Sequence, residues 1–431
     1  MLPMLALVLA TLVLLLLAGY PMKVPLLGAT MVLLVGWFPE VDPQVVVQQM
    51  IGGVRPAALV AVPMFILAAE IMTRGQASDR LLDAILGFVG HLRGGLPITA
   101  AIGCTLFGAL SGSTQATVVA IGGPIRPKML EAGYPDSFAI ALVVNASDIA
   151  LLIPPSIGMI VYGVVSGTSI GEMFVAGIGP GLLILALFCV WCWLATLWYG
   201  VPRQPRRSWG DAFGALRRAV LPMGFPVLVI GGIYTGTFSP TEAASISVVY
   251  ALVLEVLVYR QLSWRELPAI ALSTGTITAV VFVLVGAGAA FSWVISFAEL
   301  PAVLVGEVLG LTPASGYWTI MATISAAYFV GCMFVDPIVV ILILAPILHP
   351  IAVAAGIDPV LVGVVVTLQV AIGSATPPFG CDLFTAVAVF RKPYLDVIRG
   401  TPPFVALLLG ASLLLIALPG IALFLRDLAF A

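Results

Sequence analysis

Small and oxygen-bearing side chains interrupt an otherwise apolar chain at two places. The first group is Ser111, Gly112, Ser113 and Thr114, followed by Asn145, Ser147 and Asp148. The second is Gly331 and Asp336, followed by Ser374, Thr376 and Asp382. These residues supply hydroxyl, amide, carboxylate and freed backbone carbonyl oxygens. A hard cation such as Na⁺ prefers such oxygens, and unwound carbonyls within membrane helices are a known source of them. An acid inside a membrane span costs about 2.5–3.5 kcal/mol on insertion scales. Asp148, Asp336 and Asp382 are therefore candidates for function, and Glu70 and Glu242 more weakly. For Asp148 and Asp382 a structural ion pair, or a place nearer the interface, stays equally open. Glu70, near Arg74, reads more simply as half of such a pair.

The elements that position these groups occur twice. An offset of 223 residues carries Gly108 onto Gly331, Ser113 onto Asp336 and Gly133 onto Gly356. The same offset carries Ile149 onto Ile372 and Pro154-Pro155 onto Pro377-Pro378. No gap is needed. Each copy has a small polar apex inside apolar sequence, then a long apolar run broken by Pro-Pro. Proline removes a backbone donor and stops a helix, leaving carbonyls unpaired just before it. Paired interrupted segments at corresponding positions of two halves point to the substrate and ion sites of a transporter.

Composition agrees. Of 431 residues, 61% are hydrophobic and 9% charged, which excludes a soluble domain and a disordered one. A net charge of −2 with no basic stripe argues against nucleic acid. The chain reads as an all-α polytopic membrane protein in the lipid bilayer. Cys189 and Cys192 are spaced like a metal or redox pair. They sit in the apolar run LALFCVWCWLATLWYG with no second pair and no nearby His, and read as small apolar residues of a span. His91 and His349 lie far apart. No phosphate loop or nucleotide fingerprint is present, so no cofactor is expected. An intramembrane enzyme would need a nucleophile–base pair or metal ligands within spans, which the sequence does not offer.

In chain order, residues 1–75 are scaffold helices, with spans at 2–20, 24–38 and 57–73. Residues 76–95 are amphipathic: Leu81, Leu82, Ile85, Phe88 and Val89 share a helical face, suiting a helix in the membrane interface. The first repeat covers 96–170, with a hairpin at 97–124 and a broken helix at 137–165. Scaffold helices follow at 171–298 around an Arg-rich loop, 201–218. A linker at 299–312 leads to the second repeat, 313–392, with a hairpin at 316–347 and a broken helix at 359–390. A C-terminal helix, 393–431, contains the last span, 402–425. With the Arg-rich loop placed in the cytoplasm and each hairpin entering and leaving on one side, all of the 18 basic residues fall inside except Arg55 and Arg426. That assignment makes the halves inverted repeats, with ten full spans, two re-entrant hairpins and both termini outside.

The segments VPMFILAAEIMTRG, HLRGGLP, FGALSGSTQAT, LIPPSIGMIVYG, GGIYTGTFSPTEAASISVVYAL and ATPPFG, in this order, resemble those of the large membrane subunit of tripartite ATP-independent periplasmic (TRAP) transporters, the DctM-like family. FSPTEAA together with SGS and IPPS is the specific part, and the resemblance covers almost the whole chain. It implies a secondary transporter of the bacterial inner membrane. Hairpins and broken helices would move as an elevator against the scaffold, carrying a small organic acid with Na⁺. It implies two partners: a small four-helix membrane subunit and a periplasmic substrate-binding protein. By resemblance, Ser111, Gly112, Ser113, Asn145 and Ser147 form one sodium site. Gly331, Asp336, Ser374 and Thr376 form the other. Pro154, Pro155, Pro377 and Pro378 shape the substrate cavity, and Thr114 and Asp382 join them as substrate-binding candidates. Gln115, Asp148 and Asp382 depart from the family pattern. Two extra carboxylates beside the sites repel an anionic substrate unless protonated or cation-paired. This weighs against an ordinary dicarboxylate and makes Asp148 a candidate for proton or ion coupling. The alternative architecture-level reading is a stand-alone ion-coupled carboxylate carrier or antiporter that needs no binding protein.

Overall fold

In the computed structural model, which describes residues 1–430, every regular element among the described residues is helical. Six helices are long and apolar enough to cross a membrane: Ala57–Arg74, Ile170–Tyr199, Trp209–Tyr234, Pro240–Val258, Leu267–Phe297 and Pro337–Ala354. The bent pair Pro402–Ala417 and Gly420–Ala429 makes a seventh if taken as one span. Sequence reading gives ten spans. Five of those lack the unbroken length: Leu2–Leu17 and Lys23–Trp37 have 16 and 15 residues, each Pro-Pro run is split into two shorter helices, and the last span is the bent pair. Pro337–Ala354 is an arm of the second hairpin, and its 18 residues extend about 27 Å.

Two boundaries are corrected. The last span is not continuous over 402–425: the helix stops at Ala417, just ahead of Pro419, and the chain turns by 58°. Proline disfavours helical backbone in the residue before it, which is why the break falls there. The helix expected from 219 begins at Trp209, inside the expected loop. The Ser208 hydroxyl accepts the Asp211 N–H at 3.1 Å and caps the first turn.

The two repeats pack in a crossed pattern. Each hairpin's first arm lies on the near half of its own broken run, Gly95–Ser111 on Asp136–Ser147 and Tyr317–Cys332 on Pro359–Ser374. Each second arm lies on the far half of the other repeat's run. Thr114–Glu131 packs on Cys381–Phe390, and Pro337–Ala354 on Ile157–Ser166. Tyr162 and His349 pin the latter contact, with Oη and Nδ1 2.8 Å apart and both residues buried. The other helices form a surround. Ala61–Arg74 packs on Pro240–Leu252, and both Lys23–Trp37 and Gln44–Gly53 pack on Leu267–Phe297. Ile170–Tyr199, which sequence reading places in the scaffold, packs on helices of both repeats as well as on the C-terminal helices.

The amphipathic segment is the helix Ala77–Val89. Leu81, Leu82 and Ile85 of its apolar stripe are buried, and Phe88 stacks edge-on against Phe213. Much of the stripe is thus covered by Trp209–Tyr234 and Gly95–Ser111. On its polar side Asp83 bonds Arg207 at 2.6 Å and Arg218 at 2.9 Å, tying the helix to the Arg-rich loop.

Candidate functional site

The first apex is a two-residue turn. Gly95–Ser111 ends, Gly112 takes φ +60°, and Ser113 is extended before Thr114–Glu131 begins. Glycine is required at Gly112 twice over: the left-handed backbone disfavours a side chain, and a Cβ there would strike the Pro155 carbonyl. The apex therefore sits against its own Pro-Pro break. Ser113 caps the following helix, accepting from Ala116 N at 3.4 Å. Ser111 Oγ lies 3.2 Å from Thr117 Oγ1, and Thr117 donates to the Ser113 carbonyl at 2.8 Å.

The second apex repeats the plan with other side chains. Tyr317–Cys332 ends, and Asp336 caps Pro337–Ala354 by accepting from Ile338 N at 2.9 Å. This apex too sits on its own break, through the Phe379 N–H donated to the Met333 carbonyl at 3.0 Å. Both Pro-Pro bonds are cis.

Behind the apices the runs unwind as the Pro-Pro pairs require. Asp136–Ser147 gives way to a 3₁₀ turn at Asp148–Leu151, and Ser156 caps Ile157–Ser166. Pro359–Ser374 unwinds until Cys381–Phe390. Three groups at these breaks stand out. Asn145 is fully buried, and its Nδ2 donates to the Ala141 carbonyl at 2.8 Å while its Oδ1 has no partner. Asp148 is fully buried with neither carboxylate oxygen bonded. Asn145 and Asp148 are three residues apart and share one helix face. Asp382 is also fully buried but well partnered: Thr114 Oγ1 donates to Oδ1 at 2.7 Å, and Ser374 Oγ lies 2.6 Å from Oδ2. Asp382 thus joins the first apex to both halves of the second run. Ser147 and Thr376 turn their hydroxyls back onto the carbonyls of Val144 (2.6 Å) and Ile372 (2.6 Å).

A cavity of about 690 Å³ opens in front of the apices. Ser111, Gly112, Ser113, Thr114 and Asp336 line it, as the sequence suggests. The four prolines do not; Leu151, Ile157, Gly158, Pro337 and Ile338 take their place. Asn145, Ser147, Asp148, Ser374, Thr376 and Asp382 are buried off the cavity wall, and half-buried Gly331 does not line it either. The far wall comes from two helices that sequence reading does not connect with the apices. Ala61–Arg74 gives Glu70, Thr73 and Arg74, and Leu267–Phe297 gives Thr276, Val280 and Leu284. Gln115 also lines the cavity. Glu70 and Arg74 pair as expected, with Nε and Oε2 3.3 Å apart. Their address on the cavity has no local sequence signal.

The chain matches the family described as "Tripartite ATP-independent periplasmic transporter, DctM component" over residues 9–421. It is 60% identical over 428 residues to the ectoine/5-hydroxyectoine TRAP transporter large permease protein UehC of Ruegeria pomeroyi, covering 99% of this chain and 100% of that one. It is 58% identical over 424 residues to the ectoine TRAP transporter large permease protein TeaC of Halomonas elongata, covering 98% of each. It is 36% identical over 371 residues to the C4-dicarboxylate TRAP transporter large permease protein DctM of Pseudomonas aeruginosa, covering 86% of each. Among solved structures it shares its fold with the YdaH transporter of Alcanivorax borkumensis, at TM-score 0.63 and 17% identity over 87% of each chain.

Proposed function

The chain belongs to the DctM component family of tripartite ATP-independent periplasmic transporters, and from that premise we propose that it is the large permease of a sodium-coupled importer of ectoine and 5-hydroxyectoine. The observation that carries the substrate is near-end-to-end identity of 60% and 58% to two ectoine permeases, against 36% to a C4-dicarboxylate permease. The substrate class expected from sequence, a small organic acid, narrows accordingly. Ectoine is a carboxylate that also carries a delocalised ring cation, so it has no net charge to be repelled by Asp148 and Asp382.

In this reading Na⁺ is cargo moved with the substrate. Asn145 Oδ1, buried without a donor, supports an ion held near Ser111, Gly112, Ser113, Asn145 and Ser147. A buried polar atom without a partner costs about 1–3 kcal/mol, and a cation removes that cost. The second ion is assigned to Gly331, Asp336, Ser374 and Thr376, where two hydroxyls end at an unwound turn. The crossed packing of the two repeats supports their moving as one body, an elevator against the surrounding helices. The distribution of basic residues supports inverted repeats, with both termini on the periplasmic side of the inner membrane. A small membrane subunit would brace the surround, and a periplasmic binding protein would deliver the substrate.

The test is uptake of labelled ectoine into proteoliposomes containing this chain and its small subunit, with the binding protein outside. Uptake should require an inward Na⁺ gradient and the binding protein, and should be lost in Asp336→Ala. Na⁺-driven uptake without the binding protein would replace this reading with a stand-alone carrier. Succinate uptake without ectoine uptake would refute the substrate.

A further inference from the structure

We propose that Arg74, steered by Glu70 and Ser273, binds the carboxylate of the substrate from the far wall of the cavity, and that the cavity is built for a zwitterion. The proposal rests on the ectoine reading and adds a specific residue to it. Glu70, Arg74 and Asp336 are the ionisable residues of the cavity lining. With Na⁺ on Asp336, as proposed above, Glu70 and Arg74 remain, and a dianion would set its second charge against Glu70. A zwitterion can set its carboxylate on the base and its delocalised cation on an acid, with each charge compensated.

The geometry around Arg74 leaves its guanidinium free for this. Glu70 Oε2 engages Nε at 3.3 Å, one helical turn away, and the Ser273 hydroxyl steadies Glu70 Oε1 at 3.4 Å. The two terminal nitrogens of Arg74 have no partner among the described residues. Parallel N–H groups on a planar fork match a carboxylate bidentately, which an ammonium cannot do. Stability does not explain the pair. Its side chains are 43% and 25% exposed, and such an i,i+4 pair contributes little to folding. Glu70 lies one turn inside the span and Arg74 is its last residue, and both face the cavity.

The experiment measures binding of labelled ectoine, at saturating Na⁺, to the purified complex with the small subunit in lipid nanodiscs. Wild type is compared with Arg74→Gln, Arg74→Lys and Glu70→Gln. A second probe is the same ring amidine without its carboxylate. Ectoine affinity should fall at least tenfold in Arg74→Gln, and less in Arg74→Lys and Glu70→Gln. Affinity for the carboxylate-free amidine should not change, a pattern that a merely structural role would not give. Wild-type ectoine affinity in Arg74→Gln overturns the proposal and leaves the ectoine reading intact. An equal loss for both probes also overturns it. If Arg74→Gln does not elute as a folded complex, Arg74→Lys and Glu70→Gln decide, and wild-type affinity in both overturns it. A wild-type complex that binds succinate and not ectoine sinks the substrate reading and this proposal together.

Discussion

The two apices share a backbone plan and differ in what fills it. At the first, Ser111 and Thr114 are buried, Gly112 has no room for a side chain, and Pro154 and Pro155 are buried behind it. At the second, Phe334 and Phe379 are exposed with their rings 6.0 Å apart, and Pro378 is exposed beside them. The cap of the outgoing helix is a neutral serine at one apex and a carboxylate, Asp336, at the other. Equivalent positions thus carry equivalent backbone duties. A carboxylate caps the outgoing helix only at the second apex, and Asp382 of the second run bonds across to Thr114 of the first apex. The first apex is a tight joint, whereas the second has room at its tip.

That contrast breaks most sharply at the glycines. Gly112→Val should abolish uptake and lower the thermal midpoint of the purified complex. A β-branched residue at φ +60° costs on the order of 2 kcal/mol, before the clash with Pro155. Gly331→Ala should be milder, because Gly331 has ordinary helical backbone inside Tyr317–Cys332 and its new Cβ meets one side chain, Val340 at 2.9 Å, rather than a carbonyl. Equal damage at both would mean that the apices are equally tight. Next in size is Asp382→Ala, which removes the acceptor of Thr114 and Ser374 in a fully buried place. Hydrogen bonds to a charged group contribute about 1.5–3 kcal/mol each, so a loss of about 3 kcal/mol is expected by denaturant or thermal unfolding. Thr114→Val in the Asp382→Ala background should then add little, because the partner is already gone.

Much of this arrangement was legible in the chain. The 223-residue offset predicts two hairpins and two broken runs; the broken runs begin and end within a residue of the expected bounds, whereas both hairpins' second arms run seven residues further, to Glu131 and Ala354. Asp336 and Ser113 are aligned by the same offset, and the structure gives both the same capping role. What stayed hidden needed tertiary information. The far wall of the cavity comes from helices 40 and 160 residues away from the first apex, to order of magnitude, and nothing in VPMFILAAEIMTRG says what it faces. The resemblance implied that the prolines shape the cavity. They open the backbone, but a freed carbonyl serves the layer behind the apex, while the flanking Leu151, Ile157 and Ile338 form the surface.

A smaller effect separates cap from charge. Asp336→Asn keeps a good N-cap, so the complex should unfold within about 0.5 kcal/mol of wild type while its Na⁺ dependence of uptake weakens. Ser113→Ala has no charge to lose and should cost about 1 kcal/mol of stability through the cap alone. If Asp336→Asn left Na⁺ dependence untouched, the asymmetry between the apices would be structural only.

The smallest effect lies away from the apices, where Asp83 holds the helix leading into the first hairpin to the Arg-rich loop. Partial burial alone would raise the Asp83 carboxyl, but hydrogen bonds and charge from Arg207 and Arg218 outweigh it and hold it below its usual value of 3.8. A carboxyl lowered in the folded state stabilises that state fully above its unfolded value, and the gain is lost as pH falls through the lower folded value. The ion pair should therefore be constant at neutral pH and weaken only below about pH 4. The second hairpin has no matching acid on its entry linker, where Glu299 and Glu307 have no basic partner among the described residues. Asp83→Asn should cost about 0.5–1 kcal/mol in low salt and less in high salt, since the groups are partly exposed. Thermal unfolding of wild type and variant at two ionic strengths would show it. A salt-independent loss would mean that Asp83 acts by packing, and that the first hairpin is tethered no more electrostatically than the second.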